Sequence, residues 1–392
     1  MLRTVFRRAI FVGISLSILL VFAACATSAS DGRGRGSETS PDPYRVDREF
    51  EPGTYGGSLS LGFHGDPTSF NPLALGVRPI DVAVRRALFA SVIKRDELTG
   101  EWVGDLAEEW TVNEAGTGFE FTLREGLKWS DGTELSVEDV LFSIRELYLP
   151  VAQGPYAQRW ANLFEVTAEQ TGPRSFTLEA QNSHVDLYAL AAVPPMPRHV
   201  FADVVEEEGV AGALEVWSVS EAQSVVSSGP FTIESFAPGG AVELVRNPAY
   251  HGRSENGDEL PYLEGLSLRI VEEANLVDDL VSGRVDMIRV PHRNLSDLMA
   301  EHEDTVEGIY RTDFQPGVWF LTFNQNPVEG RGDAGVFEPR LTWFSDLRFR
   351  TAMAHLIDQD WIVEEILGGA GVPAHGFRAP ESTYALQDAS EL

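Results

Sequence analysis

Cysteine is nearly absent: Cys25 is the only one in 392 residues. That excludes an internal disulfide and any zinc site built from several cysteines. Lysine is almost missing too. Lys94 and Lys128 are the only lysines among 30 basic side chains, and the others are arginines. Positive charge as a whole is scarce, because 60 acidic groups leave a formal net charge of −30. Such a surface repels phosphate backbones and anionic headgroups, so nucleic-acid binding is disfavoured. The acidity fits a saline habitat or an extracytoplasmic surface equally well. No apolar run reaches the roughly 20 residues that a spanning helix needs. The signatures G-x-S-x-G, P-loop and H-E-x-x-H are missing. The histidines scatter from His64 to His375 without an i,i+4 pair, so neither a protein-built metal site nor a cofactor is expected.

What is present suffices for packed cores. Hydrophobic content is 43% and aromatic content 10%, which argues against global disorder. At roughly 150 residues per domain, the length predicts about two or three domains.

The N-terminus explains the single cysteine. Arg3, Arg7 and Arg8 precede an apolar run from Ala9 to Ala24, and small residues stand just before Cys25. This is the layout of a secretory signal, residues 1–24. The stretch "VFAAC" resembles a bacterial lipobox, with Phe22 where the pattern usually has Leu. The resemblance implies lipidation of Cys25 and an extracytoplasmic protein anchored on the periplasmic side or the outer face of a membrane. Residues 25–56 are Gly, Ser, Pro and charge with little apolar pattern, so they read as a flexible tether.

Beyond residue 57, strand and helix patterns intermix. Alternation predicts strands at Gly57–Phe63, within "FEFTL", and at "RSFTLEA", "PFTIESF", "AVELVRN" and "LSLRIVEE". Helical spacing predicts helices at Pro79–Ile93, after Ser136, and along "DLRFRTAMAHLIDQDWIVEEIL". Ser136 and Asp139 have capping-box spacing. "GVWFLTFNQN" (Gly317–Asn326) reads as a buried strand leading into a loop. The fold class is therefore α/β or mixed α+β.

Six blocks, in order, resemble the extracytoplasmic solute-binding proteins of ABC importers, family 5 (peptide/nickel type). They are "GDPTSFNPL" (Gly65–Leu73), "LKWSDGTELSVEDVLFSI" (Leu127–Ile144), "PPMPRHVF" (Pro194–Phe201), "SSGPFTIESFAPGGAVELVRNPAYHG" (Ser227–Gly252), "LVSGRVDMI" and "DLRFRTAMAHLIDQDWI" (Asp346–Ile362). The resemblance implies two lobes of the periplasmic-binding-protein type II fold, with solute bound in the cleft. Lobe I would comprise residues 57–84 and 225–312, with a subdomain inserted at 85–224. Lobe II would start at residue 313. Family members run on past this length, so lobe II is expected to be incomplete here. The partners implied are a small solute, oligopeptide first, and the ABC permease subunits. Nickel complexes and oligosaccharides are alternatives, as is a nonfunctional fragment. A monomer is expected.

Loop residues at strand ends are the better ligand candidates. His64, Phe70 and Asn71 follow the first strand; Trp319, Phe320 and Asn324 lie on or after the later one. Aromatics offer contact area and an amide fixes a backbone group; core packing is the competing role. In the W-S-D-G block, Asp131 and Gly132 read as a turn and Trp129 as buried area. Arg348, Arg350 and Asp358 are expected in local ion pairs or caps. "SVIK", Ser91 to Lys94, fits the S-x-x-K of serine acylases but has no companion motif and falls in a helical stretch. A serine hydrolase is thus the rival class, and no chemistry is expected.

Overall fold

A computed structural model describes residues 9–15, 53–96, 101–150, 166–180, 186–254, 256–290, 302, 308–313, 321–327, 335–366 and 373. The chain divides into two compact units. The first comprises Met1–Phe11, Ser17–Arg289 and Thr305–Tyr310; the second comprises Val12–Leu16, Val290–Asp304 and Arg311–Leu392.

Strand β1 is Ala9–Ser15 and β2 is Ser58–Phe63. Helix α1, Pro79–Leu88, follows with proline at its first turn, where a missing N–H costs nothing. Next come β3 (Ile93–Arg95), β4 (Trp102–Gly104), β5 (Ala107–Val112) and β6 (Gly118–Leu123). Helix α2, Val137–Phe142, winds on into a π-helical turn, Ser143–Tyr148. Strands β7 (Thr167–Gln170) and β8 (Ser175–Glu179) precede helices α3 (Asp186–Ala191) and α4 (Arg198–Glu215). There follow β9 (Phe231–Ala237), β10 (Ala241–Arg246), β11 (Gly265–Ile270), α5 (Leu276–Ser282), β12 (Met287–Val290) and β13 (Gly308–Asp313).

Seven strands form one mixed sheet in the order β13-β1-β12-β2-β11-β10-β9. β2 runs parallel to both β11 and β12. β9, β10 and β11 are antiparallel neighbours, with a bulge at Glu243/Leu244. Gly62 on β2 permits the α5–β12 layer to close: a Cβ there would lie 3.0 Å from Ile288 Cγ2. A four-stranded antiparallel sheet, β5-β6-β8-β7, and a hairpin, β3-β4, lie within residues 85–224. On that sheet Phe119, Phe121 and Phe176 are buried and stack in series, and Tyr188 of α3 meets Phe119 edge-on at 4.7 Å.

Three expectations change. The helix from Pro79 stops at Leu88, because Phe89 turns extended and the N–H groups of Ser228 and Gly229 both take the Leu88 carbonyl. "SVIK" therefore leads into strand β3 and is not helical. The helix expected across "DLRFRTAMAHLIDQDWIVEEIL" breaks: Leu347–His355 is one segment, and Asp358 caps a new one by accepting the Trp361 N–H at 2.9 Å. Leu321–Asn326 is neither strand nor buried, and Leu321 is 62% exposed; Gly317–Phe320 lie outside the described residues.

Candidate functional site

Parallel strands β2, β11 and β12 end on one edge of the sheet, the edge where open α/β sheets receive ligands. The loop leaving β2 carries the first three candidates. His64 is exposed. Gly65 follows with φ of 75°, a left-handed turn suited to glycine. Asp66 fixes the loop on both sides: its carboxylate accepts the Gly239 N–H at 2.8 Å and its carbonyl accepts Arg78 Nη2. Buried Asp81 on α1 accepts the Thr68 N–H at 2.9 Å and hydroxyl at 3.1 Å, and pairs with Arg78 at 3.1 Å. The loop is thus fastened to the start of α1 and to Gly239, with His64 displayed at its start.

Phe70 and Asn71 face inward. Phe70 is fully buried and meets Phe236 edge-on at 5.2 Å. Asn71 is fully buried, and its amide donates to the carbonyls of Ala213 at 2.7 Å and Val216 at 2.9 Å. Its Oδ1 accepts the Leu73 N–H. Both of its amide donors therefore serve the joint between this loop and the end of α4. Trp319 and Phe320 lie outside the described residues. Asn324 sits in an exposed segment of the second unit, where its Oδ1 accepts the Asn326 N–H at 3.0 Å. Cys25 also lies outside the described residues.

The recurring blocks build joints. In W-S-D-G, Trp129 is fully buried, Gly132 has φ of 89°, and the Gly132 N–H reaches the Trp129 carbonyl at 2.9 Å. Asp131 accepts the Thr133 N–H and meets His199 Nε2 at 2.7 Å. Asp139 accepts the Ser136 N–H at 2.9 Å, completing the expected cap, and also the Arg198 N–H at the start of α4. Asn247 of the N-P-x-Y block donates to the Gly229 carbonyl at 2.8 Å and accepts the Ala249 N–H. Asp346 accepts the Arg348 N–H at 2.8 Å and caps its helix.

One constellation escaped the pattern reading. Asp105, 6% exposed, meets Lys94 Nζ at 3.0 Å and His251 Nε2 at 3.3 Å, and accepts the Ser91 N–H at 3.0 Å. Burial pushes its carboxyl up, but the His251 and Ser91 hydrogen bonds and the Lys94 charge bring it down to about 2. Burial alone would lower Lys94; Asp105 outweighs it and the ammonium is held charged. These groups come from positions 91 to 251, and no local spacing announces them. Nearby, Arg246, Asn247, Pro248, Tyr250, Glu259 and Leu260 line a cavity of about 320 Å³. Among the described residues no cluster of His, Cys, Asp or Glu could hold a metal ion, and no helix is long and apolar enough to cross a membrane.

A mixed sheet presenting parallel strand ends beside a braced loop is a frame of the kind that takes ligands at its strand ends. The model of the bacterial extracellular solute-binding proteins, family 5, middle part, matches residues 101–391, and the chain belongs to that family. A probable ABC transporter-binding protein of Deinococcus radiodurans is 27% identical over 327 residues, 79% of this chain and 52% of the relative. The oligopeptide-binding protein AppA of Bacillus subtilis is 23% identical over 374 residues, 94% of this chain and 60% of the relative. The solved structure of AppA in complex with a nonapeptide has a TM-score of 0.62 at 21% identity, over 86% of this chain and 60% of that one. NikZ from Campylobacter jejuni in complex with Ni(L-His) has a TM-score of 0.58 at 17% identity, over 82% of this chain and 57% of that one. The chain thus spans about half to three fifths of the length of these relatives.

Proposed function

We propose that this chain is the solute-capturing part of an ABC importer, tethered through a lipidated Cys25 and handing an oligopeptide or similar small solute to a membrane permease. The family match over residues 101–391 carries the reading. The likeness of the fold to AppA holding a nonapeptide supports a peptide as first solute. Within the first unit, His64 is the contact group, and Phe70 and Asn71 act through the loop that they brace. Trp319, Phe320 and Asn324 are the contributions proposed from beyond residue 313. Capture without chemistry is the better reading of Ser91 and Lys94. A lysine acting as general base must be unprotonated, and Asp105 holds Lys94 as an ammonium.

Native mass spectrometry of the full chain purified from its own host tests the solute. Peptide adducts that fall away on gentle activation are expected; adducts of nickel chelates or saccharides instead would replace the peptide reading. Anchoring is tested by Cys25→Ala. The variant is expected in the soluble fraction, and a variant that stays with the membrane sinks the lipid anchor.

A further inference from the structure

The cavity at the N-P-x-Y block lies away from the His64 loop. Val245 pairs with Gly265, and Gly265 pairs with Ser58, so β10 ends where β11 and β2 begin. His64 follows the other end of β2. A ligand in this cavity is therefore a second one, and its lining residues, from Arg246 to Leu260, all belong to the first unit.

Two opposite charges line it side by side. Arg246, with its side chain 29% exposed, places its guanidinium 4.9 Å from the centre of the Tyr55 ring. Its Nη2 stands 3.9 Å from Glu259 Oε2, beyond hydrogen-bond reach. Among the described residues these are the contacts of that guanidinium, and neither is a hydrogen bond. An exposed pair of this length contributes little, so a ligand can part it at small cost.

The walls are fastened before any ligand arrives. The Asn247 amide donates to the Gly229 carbonyl at 2.8 Å, and the Asn247 N–H reaches the Pro230 carbonyl at 2.9 Å. Next to Tyr250, His251 meets Asp105 at 3.3 Å. On the other wall, the Tyr55 hydroxyl donates to the Glu259 carbonyl at 2.8 Å, and the Leu260 N–H to the Gly252 carbonyl at 2.9 Å. A preformed pocket loses less freedom on binding.

A guanidinium takes a carboxylate through paired N–H donors. Glu259 beside it would take an ammonium. An α-amino acid carries both charges on one carbon, held side by side as Arg246 and Glu259 are. A peptide parts its terminal charges along its length. A plain anion would be opposed by the net charge of −30, whereas a zwitterion is neutral overall. The cavity of about 320 Å³ has room for about ten waters at roughly 30 Å³ each. That admits a side chain of leucine or phenylalanine size against Leu260 and Tyr250.

We propose that this cavity binds a free α-amino acid with an apolar side chain, its carboxylate on Arg246 and its ammonium beside Glu259. The site does not rest on solute capture at the His64 loop.

The test is calorimetric titration of the full chain with L-leucine and with L-phenylalanine. Saturable binding of at least one is expected. Arg246→Gln and Glu259→Gln should each weaken it roughly tenfold or more, as loss of a charged hydrogen-bond partner does. N-acetyl-L-leucine and L-leucinamide, each lacking one of the two charges, should bind weaker by a similar factor. Leucyl-leucine should not displace the amino acid. Amide hydrogen exchange of the unaltered chain needs no variant, and added leucine should slow it in 246–250 and 259–262. The proposal fails if neither amino acid binds, or if N-acetyl-L-leucine binds as well as leucine. It fails also if exchange in those two segments does not change. Binding that survives Arg246→Gln but is lost in His64→Ala would place the amino acid at the strand ends and overturn it.

Discussion

Ser60 and Asp286, 226 positions apart, are joined three ways: Asp286 accepts the Ser60 N–H at 2.8 Å and its hydroxyl at 3.2 Å, and returns its own N–H to the Ser60 carbonyl at 2.9 Å. The contact ties β2 to the turn that begins β12. Gly283, with φ of 79°, ends α5 so that the chain can reach it. Asp286→Ala leaves a partly buried N–H without its acceptor. A loss of about 1–3 kcal/mol is expected in urea unfolding. A change within about 0.5 kcal/mol would assign Asp286 to an ordinary surface turn.

Asn71 and His64 sit on one loop but should separate cleanly. Asn71→Ala deprives the carbonyls of Ala213 and Val216 of a donor in a fully buried place. It should cost about 2–4 kcal/mol, near twice the usual figure for one buried partner. His64→Ala removes an exposed side chain, so stability should stay within about 0.5 kcal/mol. Solute affinity should fall in this variant alone at constant stability. Unchanged solute binding by His64→Ala, measured calorimetrically, would take His64 out of the site.

These two residues also mark what the sequence could say. Asn71-Pro72 and the strand before it announced a loop, and the loop is there. Which side chain turns inward depends on α4 and on Trp217, whose carbonyl accepts the Phe70 N–H at 3.0 Å. That contact is set about 150 positions away, beyond the reach of local pattern. Caps and turns were legible, as at Ser136 and Asp131, because their partners lie within three residues. The early end of α1 was not, because Ser228 and Gly229 impose it from a distant strand lead. The Asp105 cluster was invisible for the same reason: its members look like unrelated surface residues until three elements meet.

Asp105 gives an acid dependence with a definite sign. Its carboxyl lies at about 2 in the folded chain against 3.8 without these partners. A depressed carboxyl contributes stability that is fully present above the unfolded value and lost as pH falls from about 4 through about 2. The shift corresponds to roughly 2 kcal/mol. Urea midpoints at pH 5 and at pH 2.5 should differ more in the parent chain than in Asp105→Asn. Asp105→Asn should itself weaken the chain at pH 5, since it leaves Lys94 and His251 without their carboxylate. Equal acid loss in both chains would show that other carboxylates carry the transition.

Gly229 is where the SSGP block meets the end of α1. Its N–H takes the Leu88 carbonyl at 2.8 Å, and Asn247 holds its own carbonyl at 2.8 Å. A Cβ here would lie 2.6 Å from both Leu88 C and Phe89 N. Those are backbone atoms and cannot swing aside like a side-chain end. Gly229→Ala must therefore push α1 away or tilt the lead into β9, which overpacking of a close-packed interior makes costly, about 1–3 kcal/mol. The same movement would shift the helix whose Asp81 braces the His64 loop. Reduced solute affinity should accompany the lower midpoint in this variant. A chain that keeps its midpoint with alanine there would mean that the joint has slack, and glycine at 229 would then need another explanation.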